Sequence, residues 1–131
     1  MDPTLDLEAR RLFVSAALTT HAARLLGGRL PAGGQARDLL APARQLGGGM
    51  GTFGQRHGLR FEPSYPGLTA GPEAVGGGSR LVLACRAFDA EGRPLGVVFT
   101  TLIPGRLPQV SVAPAGAGIP KDWRPVAGPP R

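Results

Sequence analysis

A chain of 131 residues with 42% hydrophobic side chains has the material for one small core, and too little for two. Its 21 glycines and 14 prolines imply long irregular connections, and a single cysteine excludes an internal disulfide and a cysteine-rich metal site. The formal net charge of +6 rests almost wholly on arginine, since Lys121 is the only lysine, and no apolar run approaches the roughly 18 residues of a membrane helix.

Residues 2–26 predict a helix. Asp2 can cap it, Pro3 suits its first turn, and Asp6 and Glu8 oppose the positive end of the helix dipole. Leu5, Leu12, Ala16, Ala23 and Leu26 form one apolar stripe, with Leu7, Val14, Leu18 and Leu25 beside it. The helix is therefore expected to face a core along most of its length, and Gly27-Gly28 to end it. Within it, "ARRLFVS" (9–15) resembles a twin-arginine export motif, and "GGQA" (33–36) a cleavage site. His21, Arg24 and Arg29 interrupt the apolar stretch such a signal requires, so an ordinary helix in a cytoplasmic protein is the expectation.

A second helix is predicted over 34–46, with Pro42 kinking it or ending its regular part. Next comes "GGGMGTFG" (47–54), which contains a G-x-G-x-x-G at Gly49, Gly51 and Gly54. A dinucleotide loop leaves a strand and enters a helix, so that the helix N-terminus meets the pyrophosphate. Here a helix precedes the glycines, and only three residues separate Gly54 from Gly58. A kinase-type loop needs a lysine on a later strand, and Lys121 fits neither that role nor a Walker loop. The stretch 47–57 is read as a flexible joint, with a phosphate-holding nest beside Arg56 and His57 as the lesser reading.

A short extended piece follows around Leu59–Phe61, and prolines and glycines make 62–79 a long loop. The apolar runs 81–88 and 95–103 flank Asp89-Ala90-Glu91-Gly92 and predict a hairpin, with Pro104-Gly105 turning the chain into a third strand at Gln109–Ala113. Both faces of the hairpin are apolar: Leu81, Leu83 and Cys85 on one, Val82, Ala84 and Phe88 on the other. A homo-oligomer that buries the second face is expected. Beyond Pro114 the chain reads as an extended tail, with Trp123 pinning it back.

The expected class is α+β: an N-terminal helical pair, then a small antiparallel sheet of three or four strands, then a Pro/Gly-rich tail. One domain spans 1–113, with 1–46 helical, 47–57 a joint and 58–113 β-rich, and 114–131 is the tail.

His21, His57 and Cys85 do not assemble into a recognisable nucleophile or metal site, and Asp89 and Glu91 suit a turn better than acid-base work. No enzyme, cofactor or metal is expected. Residues 21–60 carry Arg24, Arg29, Arg37, Arg44, Arg56 and Arg60 against Asp38 alone. A GC-rich genome accounts for arginine over lysine, but not for that placement. The first functional expectation is a basic, non-enzymatic module that holds a polyanion, DNA or RNA without sequence preference, through those six arginines and His57. The alternative is a structural subunit that self-associates through its two-sided sheet, without a nucleic-acid role.

Overall fold

The structure is a computed structural model that describes residues 3–32, 36–63, 69–71 and 80–125. Two helices come first, α1 (Pro3–Leu25) and α2 (Leu40–His57), the second entered through a 3-10 turn at Ala36–Leu39. Among the described residues six strands follow: β1 (Arg60–Glu62), β2 (Thr69–Ala70), β3 (Leu81–Phe88), β4 (Pro94–Leu102), β5 (Gln109–Ala113) and β6 (Arg124–Pro125). The sheet runs β5-β4-β3-β2-β6, with β1 also paired to β3, and every pairing is antiparallel. The α+β class is as expected, but six strands replace the three or four. The additional pieces are two or three residues long, too short for a periodicity of their own; β1 and β2 exist because the long β3 offers them partners, and β6 because β2 does.

The central hairpin follows from local chemistry. Asp89 is buried at the turn and accepts hydrogen bonds from the Arg93 and Glu91 backbone N–H groups at 2.9 and 3.0 Å, and from Arg93 Nε at 2.8 Å. Burial works to raise the Asp89 carboxyl, but the hydrogen bonds and the Arg93 charge outweigh it and hold it below the ordinary carboxylate value. Its contribution to stability is therefore complete above an ordinary aspartate pKa of about 3.9 and is lost as pH falls through the lower folded value. Asp89→Asn is expected to flatten the fall in melting temperature below about pH 4. Parallel acid limbs in the two proteins would remove Asp89 from the account of acid unfolding.

Register places Leu81, Leu83, Cys85 and Ala87 on the same face as Val98, Leu102, Val110 and Val112. That face meets the helices. From α1 it receives Val14, Leu18 and Ala22, and from α2 Ala43, Leu46, Met50 and Phe53. The α1 stripe in the core is thus Val14–Leu18–Ala22 rather than one through Leu12 and Ala16, both of which are exposed. α1 stops where Gly27 and Gly28 take positive φ, and the Gly28 N–H reaches back to the Ala23 carbonyl at 2.9 Å.

α1 also closes one edge of the sheet. The Val110 N–H donates to Thr19 Oγ1 and the Val112 N–H to Ser15 Oγ, each at 3.0 Å. An open edge strand is a template for a further chain, and here its donors are taken by a helix. At the opposite edge β6 is two residues long and contains Pro125, which has no N–H to offer.

The second face of the sheet, bearing Val82, Ala84, Phe88, Val97 and Phe99, meets the C-terminal segment. The Trp123 ring stands edge-on to Phe99 with centroids 6.0 Å apart, and it lies over Gly71, where a Cβ would come within 2.8 Å of Nε1. The segment read as a tail from residue 114 therefore supplies both β6 and the anchor Trp123, which pins it as expected. Residues 126–131 lie outside the described part.

Candidate functional site

The stretch 47–57, expected to be a joint, is helical throughout. Apolar residues at 39, 43, 46, 50 and 53 recur with alternating spacings of four and three and are all buried, so α2 forms because that stripe has a core to enter. Two of the glycines sit where a neighbour comes close, and a third is buried. Gly47 is buried, a Cβ on Gly49 would lie 2.6 Å from the Leu25 methyls, and one on Gly54 would lie 2.9 Å from the Leu59 carbonyl and the Phe61 ring. Nothing lies within 4 Å of a Cβ at Gly48 or Gly51, and nothing in the structure explains those two.

This settles the glycine motif. Residues 47–57 lie beyond the first turn of α2, so their N–H groups are committed to carbonyls four residues back. A phosphate needs free amides, and neither a dinucleotide loop nor an amide nest is available here.

His57 has a structural setting. Its exposed ring packs 4.3 Å from Phe53 and 6.1 Å from Phe13, and Phe53 in turn lies 5.6 Å from His21. His21 Nε2 is 3.3 Å from the Gly49 carbonyl oxygen. Together the four rings join the middle and last turns of α1 to the last turns of α2, with the two helices antiparallel.

The six arginines do not form one array. Arg44 and Arg56 are both exposed on α2, yet twelve residues of helix separate them by about 120° around the axis and about 18 Å along it. Arg60, on β1, pairs with Glu62 and lays its guanidinium carbon 4.8 Å over the Phe88 ring, on the sheet side of the molecule. Arg24 and Arg29 are exposed at the end of α1 and just after it. The side chain of Arg37 lies outside the described residues. Arg24, Arg29, Arg44 and Arg56 make no ion pair among the described residues.

Sequence reasoning missed the outer surface of α1. Leu12 is 72% exposed and Phe13 59%, on the side of the helix opposite the Val14–Leu18–Ala22 stripe. Ala9, Ala16 and Thr20 continue this surface, and all three are exposed. The signal was present in the sequence: α1 has two apolar stripes, and one sheet can bury only one of them.

Among the described residues no three His, Cys, Asp or Glu side chains gather as a possible metal site, and no helix is long and apolar enough to cross a membrane. Cys85 is buried in the middle of β3. No family model, no curated protein and no solved structure matches the chain.

Proposed function

We propose that this chain is a non-enzymatic, cytoplasmic interaction subunit that makes its contacts through the outer surface of α1. The observation that carries this is the exposure of Leu12 and Phe13 side by side on a well-packed helix. Exposed large apolar side chains in a group mark contact surfaces, whereas scattered ones need no explanation. Among the described residues the large hydrophobics that are exposed are Leu7, Leu12 and Phe13 on α1 and Leu107 elsewhere, and of these Leu12 and Phe13 lie on the outer side of α1. The sheet is less suited to the role: α1 closes its β5 edge, and Trp123 with its segment lies on its outer face.

A second reading, contact with a polyanion, is favoured by four of the six predicted arginines, Arg24, Arg29, Arg44 and Arg56, which are exposed and have no acidic partner among the described residues. Their spread around two helices suits a few backbone phosphates without base readout.

A photo-crosslinking amino acid placed at position 12, and separately at exposed Arg86 on the sheet, separates these readings in living cells. Protein adducts from position 12 and not from position 86 are expected. Absence of protein adducts at position 12 overturns the interaction reading. Nucleic-acid binding that weakens with salt, by about 0.7 to 0.9 log units per decade for each phosphate held, establishes the second.

A further inference from the structure

Resting on the reading above, we propose that the occupant of this surface is a second copy of the chain, its α1 packed antiparallel to the first across a two-fold axis at Ala16.

The geometry starts with one row of side chains. Glu8, Leu12, Ala16, Thr20 and Arg24 recur every fourth residue along α1, and all five are exposed. Residues spaced i, i+4 form a ridge inclined about 26° to the helix axis, and two such ridges pack together with the helices crossing at about −50°. This row complements its own reverse. With Ala16 meeting Ala16 of the second copy, Leu12 lies opposite Thr20, and Glu8 lies opposite Arg24. A two-fold interface requires that self-complementarity, because each contact occurs twice.

The centre and the ends act differently. Ala16 adds almost no bulk, so the helices can approach closely where they cross. Leu12 is the exposed apolar side chain that the contact covers, and Thr20 is ready to receive it because its hydroxyl already donates to the Ala16 carbonyl, at 3.2 Å. Phe13, three residues before Ala16, flanks the crossing and widens the apolar area. At the ends charge selects direction: antiparallel packing puts each Glu8 near an Arg24, whereas parallel packing sets like charges together. The helix dipole alone favours an acid near the start of α1 and a base in its last turn. It does not require them to share a row with an exposed leucine.

The remaining surfaces direct association here. The outer β5 donors are taken by Thr19 and Ser15, and β6 is short and ends in proline. One pair of helices about 35 Å long makes a contact at the small end of stable interfaces, so the dimer is expected to be reversible at roughly micromolar concentrations.

Sedimentation velocity on the purified chain from about 1 to 100 μM tests the proposal, and should show a monomer–dimer equilibrium. Glu8→Arg or Arg24→Glu alone should weaken dimerisation about tenfold, because each change acts at two symmetric positions, and combining them in one chain should restore it. Ala16→Cys should form a symmetric disulfide under mild oxidation faster than Leu12→Cys, with wild-type protein, whose Cys85 is buried, as the control. A monomer throughout the range, or charge reversals that do not rescue one another, overturns the second copy as occupant. In that event, cross-links from position 12 to other proteins leave the interaction reading standing, while their absence removes both.

Discussion

Gly96→Ala is expected to remove a large part of the folding free energy, and Gly51→Ala to add to it. Both are glycines in regular structure, and only their surroundings differ. A Cβ at Gly96 would lie 2.1 Å from the Ala113 carbonyl oxygen and 2.9 Å from Val112 Cγ1. The first of these is the backbone of the adjacent strand, which cannot retreat without opening the β4–β5 ladder that runs from Val97↔Ala113 to Thr101↔Gln109. Overpacking in a core costs about 1–3 kcal/mol and more where nothing can yield, so a loss of at least about 3 kcal/mol is expected. Domains have only about 5–15 kcal/mol in total. Gly51 is on the exposed side of α2 with nothing within 4 Å of a Cβ. There alanine restricts the unfolded chain and suits a helix, a gain of about 0.5–1 kcal/mol. Urea unfolding of the two variants beside wild type measures both. A wild-type midpoint for Gly96→Ala would refute the close approach of β4 and β5.

Phe53→Ala should come near the Gly96 change in severity, and Phe13→Ala should do almost nothing to stability. Phe53 is buried in the core cluster and its ring lies between those of His21 and His57. Truncating a buried phenylalanine costs about 3–5 kcal/mol, the transfer term plus the cavity left behind. Phe13 touches His57 only at the rim and is largely in solvent, so its loss should stay within about 0.5 kcal/mol. The pair separates two places in the aromatic row: Phe53 holds the helices together, while Phe13 belongs to the exposed outer surface of α1. A matching loss for Phe13→Ala would mean that its exposed ring serves the fold.

The glycines of α2 show how composition misled. Taken one at a time, Gly47, Gly48, Gly49, Gly51 and Gly54 each argue against a helix. Yet Leu39, Ala43, Leu46, Met50 and Phe53 carry the spacing of a buried helical face through the same segment. Burying those side chains outweighs a propensity cost of a fraction of a kcal/mol to about one per glycine. Local preference lost to tertiary packing, and at Gly54, against the Leu59 carbonyl, the packing itself leaves no room for a Cβ.

The arginines teach a related lesson. Their concentration between 21 and 60 is a property of the sequence, but chain proximity is not proximity on a surface. Arg44 and Arg56 diverge because a helix turns 100° per residue, and Arg60 leaves the helical layer because the chain has by then entered the sheet. Of the six, Arg24, Arg29, Arg44 and Arg56, exposed and without an acidic partner among the described residues, keep the polyanion reading open.

By itself the sequence determined the long first helix and its glycine stop, the hairpin over 81–102 with its Asp89 turn, the third strand at Gln109–Ala113 and the pinning role of Trp123. Each depends on neighbours within a turn or on alternation along one strand, and such signals are local. Only the tertiary structure decided which α1 stripe is buried, that the glycine run is helical, that three short strands extend the sheet beyond the hairpin, and that the C-terminal segment lies on the sheet's outer face. Those outcomes depend on which surfaces compete for the same core. α1 has two apolar stripes and one sheet to lie on, and the stripe left outside carries Leu12 and Phe13.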